Sequence, residues 1–90
     1  MSPLISIVMA TYNGEKFLRE QVDSLLAQSY PSLEFVFVDD ASSDSSLAIL
    51  QEYSSKDVRI RLIANPVNQG LLATFETGIR TAKGDMIALS

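Results

Sequence analysis

LISIVMA, residues 4–10, and LEFVFV, residues 33–38, decide the fold. Both are short, nearly continuous apolar runs rich in β-branched residues, the second broken only by Glu34. A strand with one wet face alternates apolar and polar residues. A run that does not alternate suits a strand covered on both faces, as in a parallel sheet. Between the two runs, Glu15 to Gln28 carries Leu18, Val22, Leu25 and Leu26 at spacings of four, three and one, the single apolar stripe of a helix. Glu15 and Arg19 sit four apart on its wet face, the spacing of a helical ion pair. Tyr30-Pro31-Ser32 ends the segment.

The rest of the chain repeats the alternation. Ser43 and Asp44 are placed to cap a second helix carrying Leu47, Leu50 and Tyr53 at intervals of three. VRIRLI, residues 58–63, begins by alternating apolar residues with Arg, which suggests a half-exposed or edge strand. A third helix is expected from about Leu71 to Ala82, with Leu72, Phe75, Ile79 and Ala82 on one side and Lys83-Gly84 as its stop. Met86 to Leu89 reads as a fourth strand. The order β-α-β-α-β-α-β predicts an α/β domain: a Rossmann-like parallel sheet with right-handed crossovers and helices on both faces. The doubly wound order 3-2-1-4 puts VRIRLI at an edge, where its two arginines make sense. No internal repeat, low-complexity tract or linker is evident.

Composition narrows the chemistry. Ninety residues make one small domain, and 47% hydrophobic with 20% charged residues is globular. A net charge of -4, with both signs interspersed, weighs against nucleic acid as the main partner. With neither Cys nor His, a thiolate nucleophile, a zinc site and an imidazole base are excluded, so proton chemistry would fall to carboxylates. The opening MSPLISIVMATYN lacks a basic n-region, and its apolar run is far too short to cross a bilayer. The expectation is a cytoplasmic chain without a transmembrane segment, with peripheral membrane attachment of a full-length protein left open.

In open α/β sheets, ligands bind beyond the carboxyl ends of the strands, where strand order reverses. Three loops arrive at that rim. Ala10-Thr11-Tyr12-Asn13-Gly14-Glu15 follows the first strand, and Asn13-Gly14 taken alone is an ordinary turn. Tyr12 is different, because an aromatic ring at a rim can pack on a flat base. Asp39-Asp40 ends the second strand; adjacent carboxylates there must be solvated, hydrogen-bonded or bound to a ligand. They either tie nearby turns and backbone amides together or accept from a base N–H or ribose hydroxyl. Asn65-Pro66-Val67-Asn68-Gln69-Gly70 follows the third strand and reads in isolation as turn and cap.

IVMATYNGEKFLREQVDSLLAQSYPSLEFVFVDDASSD, the Asn68-x-Gly70 turn and AKGDMIALS together resemble the start of the family-two inverting glycosyltransferases with the GT-A fold. The resemblance covers essentially the whole chain. Its specificity lies in Tyr12-Asn13, Gln28-Ser29-Tyr30-Pro31 and Asp39-Asp40-x-Ser42 at this spacing. It implies an enzyme of cell-wall or polysaccharide biosynthesis that moves a sugar, with inversion, from a nucleoside diphosphate to an acceptor hydroxyl. The donor would be uridine- or thymidine-linked and held through a divalent metal, manganese or magnesium. Ala10, Thr11 and Tyr12 would contact the base, Asp40 its ring N–H, and Asp39 the loop or the ribose. Glu15 would lie near the base, and Asn68 with Gly70 would shape the loop beside the phosphates.

Two departures qualify that picture. Many members carry an Arg in the segment after the third loop; here none comes before Arg80. The metal-binding Asp-x-Asp motif of the family follows the fourth strand, and this sequence reaches only Ser90. The expectation is therefore residues 1–90 as the nucleotide-sugar-binding half of a GT-A domain, holding no metal and no catalytic residue, inactive by itself and inclined to self-associate through its fourth strand. Other readings fit less well. A dinucleotide site or P-loop needs a Gly-rich first turn, and only Gly14 is present. A receiver-like signalling module would want its acidic pair after the first strand and another Asp after the third, where Thr11 and Asn65 stand. The alternative is a non-catalytic nucleotide-binding or receiver-like α/β signalling module.

Overall fold

The computed structural model describes residues 2–90. The first apolar run becomes β1 (Ile5–Thr11) and the second β2 (Leu33–Asp39), each one residue longer at its carboxyl end than the apolar pattern. They pair in parallel from Ile5 opposite Leu33 to Thr11 opposite Asp39. The other elements are α1 (Glu15–Leu26), α2 (Ser46–Lys56), β3 (Ile60–Ala64), α3 (Leu71–Thr81) and β4 (Met86–Leu89). The sheet runs β3-β2-β1-β4 with every pairing parallel. The arginine-bearing strand is at the edge, as its alternation implies.

Each face of the sheet has its own core. On one side, Ile7, Met9, Phe35 and Phe37 meet Leu18 and Val22 of α1 and Ile49 and Leu50 of α2. On the other, Val8, Val36 and Val38 meet α3. Both central strands are buried on both faces, which is why they carry no polar alternation.

Several local expectations need correction. β3 begins at Ile60, because Asp57 turns back to accept from the main-chain N–H and guanidinium of Arg59, leaving Val58 fully exposed. In α2 the buried pair is Ile49 and Leu50, so the interval-of-three pattern missed Ile49. Glu15 and Arg19 do not pair. The Glu15 carboxylate accepts from Ser45 N–H at 2.9 Å, while Arg19 reaches across to Glu52 at 3.0 Å.

The largest correction concerns α3. It buries Thr74 and Gly78, and of the expected line only Phe75 and Ala82 pack against the valines, while Leu72 is 85% exposed and Ile79 is also exposed. A Cβ at Gly78 would stand 2.4 Å from Val8 Cγ1, so the missing side chain lets the helix lie close on β1 and β2. Leu72 and Ile79 point past this contact line and join Met86, Ile87 and Leu89 of β4 among the exposed apolar residues. No helix among the described residues is long and apolar enough to cross a membrane.

Candidate functional site

β1 and β2 deliver Thr11 and Asp39 to the same level of the rim, opposite each other in register. Asp39 is 1% exposed. Its Oδ1 accepts from the hydroxyls of Thr11 at 2.9 Å and Ser42 at 2.6 Å, and its Oδ2 accepts from Ser42 N–H at 3.0 Å. This carboxylate locks the loop after β2 onto the end of β1. Asn13 continues the seam. Its backbone conformation is left-handed (φ 50°), its N–H donates to Ser42 Oγ, and its Oδ1 accepts from Ser43 N–H at 2.8 Å. Asn is among the few side chains that adopt this conformation readily and bond locally from it.

Asp40 points to the third loop. Successive residues of an extended chain face opposite sides, so the adjacent aspartates serve different partners. The Oδ1 of Asp40 accepts from Asn65 Nδ2 at 2.9 Å and Gln69 N–H at 2.8 Å; its Oδ2 accepts from Gly70 N–H at 2.9 Å. Gly70 has φ 94° and ψ 163°, a region essentially reserved for glycine, and this bend brings its N–H to the carboxylate as α3 begins. Burial pushes the Asp40 carboxyl up, but the donors from Asn65, Gln69 and Gly70 together outweigh it, leaving its pKa below the ordinary aspartate value. The side chain is thus ionised at neutral pH and acts only as an acceptor. The stability it contributes is present above the unfolded pKa and is lost as the pH falls through the lower folded value.

The three stitched loops enclose a cavity of about 270 Å³ lined by Ala10, Thr11, Tyr12, Asp40, Asn68, Gly70, Leu71 and Thr74. Five of the seven expected nucleotide-binding positions therefore line one cavity: Ala10, Thr11, Tyr12, Asp40 and Asn68. Asp39 lies beneath it with its carboxylate turned inward to Thr11 and Ser42. Glu15 is not among the lining residues, because its carboxylate is held by the start of α2. Leu71 and Thr74 are additions; Thr74 sits one helical turn after Gly70, a spacing that could have pointed to it. Asn65 is a further addition beside the cavity, and nothing in the sequence separates it from a turn residue.

The rim combines an exposed aromatic ring, Tyr12 at 56% exposure, with a buried ionised acceptor. It suits a flat, neutral group with an N–H on its edge. It does not suit a metal. Among the described residues no three His, Cys, Asp or Glu side chains come together, and every oxygen of Asp39 and Asp40 already accepts from at least one N–H or O–H donor.

The comparisons with known proteins cover nearly the whole chain. A glycosyltransferase of Haemophilus influenzae is 42% identical over 85 residues, covering 94% of this chain and 34% of that protein. The crystal structure of S. aureus TarS 1-349 in complex with UDP-GlcNAc superposes with a TM-score of 0.88 at 29% identity, over 96% of this chain and 25% of that one. The mannosyltransferase PcManGT from Pyrobaculum calidifontis, in complex with GDP-Man and Mn2+, gives 0.88 at 25% identity, over 97% and 26%. The chain thus spans a quarter to a third of the length of these relatives. The family model described as glycosyl transferase family 2 matches residues 6–90, from the first core strand through every loop of the rim, and the chain belongs to that family.

Proposed function

We propose that this chain is the nucleotide-binding part of a GT-A glycosyltransferase domain, and that its cavity takes the uracil or thymine end of a nucleoside-diphosphate sugar. The observation that carries the proposal is the state of Asp40. A carboxylate has about four acceptor positions; Asn65, Gln69 and Gly70 use three, and Asp40 lines the same cavity as Tyr12. Uracil and thymine present one ring N–H between two carbonyls, matching a single acceptor. Cytosine has no such N–H, and guanine offers two adjacent donors that ask for a pair of acceptors.

The whole enzyme would transfer the sugar to an acceptor hydroxyl with inversion, in the synthesis of a cell-wall or other polysaccharide. In that enzyme these residues bind and orient the nucleoside, while Asp39 holds the loop that positions it. The relative with bound Mn2+ supports a divalent ion in the parent enzyme. The described residues do not form its site.

The test is thermal unfolding with uridine, thymidine, cytidine and guanosine diphosphates in the absence of metal. At ten times Kd a ligand adds about 1.4 kcal/mol, a rise of several degrees for a domain of this size. Uridine and thymidine diphosphates are expected to give that rise and the other two much less. Tyr12→Ala should weaken the preferred nucleotide roughly tenfold with little change in the melting point of the free protein, since Tyr12 is more than half exposed and what the ligand loses is base–aromatic contact. An equal or larger rise with guanosine diphosphate would overturn the pyrimidine assignment.

A further inference from the structure

We infer that Asn65 is a positioning residue for the nucleoside site: its side-chain amide holds the Asp40 carboxylate in the orientation the cavity uses. This rests on the nucleoside reading of the cavity. Asn65 is the first residue beyond β3 and is 8% exposed. Its main-chain N–H donates to Asp39 O at 2.8 Å, continuing the sheet ladder one step past the strand and fixing the backbone from which the side chain departs. Nδ2 then donates to two oxygens, Asp40 Oδ1 at 2.9 Å and Thr74 Oγ1 at 3.3 Å.

The network determines which end of the amide faces Asp40. Thr74 Oγ1 commits its own proton to Gly70 O at 2.7 Å, so toward Asn65 it can only accept. The Asp40 carboxylate likewise only accepts. Two acceptors on one side demand the NH₂ group, and the carbonyl end would be repelled by both. Asn65 therefore ties three elements to one atom: the end of β3, the first turn of α3, and Asp40 at the end of β2. It does not line the cavity, so it acts through Asp40 and not on the ligand. The two other donors to Asp40 are main-chain N–H groups of Gln69 and Gly70 and lie together on the third loop. Without Asn65 the carboxylate is held from that loop alone and is free to turn with it.

The experiment compares the unaltered chain with Asn65→Ala and Asn65→Asp, with uridine diphosphate as the probe. Three quantities are read by NMR: the titration of the Asp40 side-chain carboxyl carbon, the Kd, and the Asn65 side-chain NH₂ resonances. Asn65→Ala removes one donor to the ionised form, so Asp40 should titrate at higher pH and Kd should weaken roughly fivefold or more. Asn65→Asp keeps the shape but sets a second acceptor against Asp40, so its affinity should fall further near neutral pH and recover as acidification lets the pair share a proton. In the unaltered chain the Asn65 NH₂ signals should shift on saturation with the same Kd as the Tyr12 amide, which needs no variant to fold.

Unmoved Asp40 titration in Asn65→Ala would show that the amide does not hold the carboxylate. A moved titration with unchanged Kd, or NH₂ signals indifferent to the nucleotide, would overturn the positioning role while leaving the nucleoside site standing. An unaltered chain that binds no uridine diphosphate would bring down the nucleoside reading itself, and this role with it.

Discussion

Asp39→Ala should destabilise the fold by about 3 kcal/mol, and Asp39→Asn by only about 1 kcal/mol. Asp39 is buried at the end of a central strand and accepts from Thr11 Oγ1, Ser42 Oγ and Ser42 N–H. Alanine strands all three donors and removes the tie that this carboxylate makes between the end of β1 and the loop after β2. The two hydroxyls can rotate toward other acceptors; the Ser42 N–H cannot. Asparagine can place its carbonyl oxygen toward that N–H and its NH₂ toward the two hydroxyl oxygens, which are able to accept. What it loses is the extra strength of hydrogen bonds to a charged acceptor. Urea unfolding monitored by circular dichroism measures both values. Equal losses for the two variants would mean that the charge, and not the donor geometry, is what Asp39 contributes.

Gly78→Val should cost about 3 kcal/mol even though valine suits a helix interior slightly better than glycine, by about 0.4 kcal/mol. The added Cβ alone would meet Val8 Cγ1 at 2.4 Å and Val38 Cγ2 at 3.3 Å. Both valines are fully buried on central strands, with β-branched side chains that have little freedom to turn away. The helix must lift instead, opening the contacts of Phe75 and Ala82 with the valine cluster. Gly78→Ala should fall between, with a net cost of about 1 kcal/mol, because the propensity gain offsets part of the clash. Lifting α3 also moves Gly70 and Thr74, so any nucleotide-induced rise in melting temperature should shrink in both variants. A stabilising Gly78→Ala, seen in the same unfolding experiment, would contradict the close packing of α3.

These two positions mark where the sequence was legible and where it was not. β1 and β2 announced themselves because strands buried on both faces have to be apolar throughout, and Arg59 and Arg61 marked the edge. The packing face of α3 was only half legible: Phe75 and Ala82 do reach the valine cluster, but hydrophobic periodicity weighs large apolar residues, while this helix packs closest by being small at Thr74 and Gly78. Its apolar flank at Leu72 and Ile79 looks like a core stripe in sequence and is a surface in the fold.

The rim was legible to the level of its loops, since doubly wound topology delivers the ends of β1, β2 and β3 to one side. The division of labour between Asp39 and Asp40 was not. It depends on the opposed directions of neighbouring residues and on donors 25 to 30 positions away at Asn65, Gln69 and Gly70. Glu15 failed as a cavity residue for the same reason. The amide of Ser45 that takes its carboxylate is brought close only when α2 docks beside α1.

The measurement that bears most directly on the nucleoside site is a titration of the uniformly labelled chain with uridine diphosphate, followed by amide chemical shifts, with and without manganese. The predicted result is saturable movement of Ala10, Thr11, Tyr12, Asp40, Asn68 and Gly70, at a Kd of roughly high-micromolar to millimolar and nearly independent of the metal. Shifts absent from these residues, or confined to the charged groove of Arg19, Glu52, Tyr53 and Lys56 between α1 and α2, would contradict it.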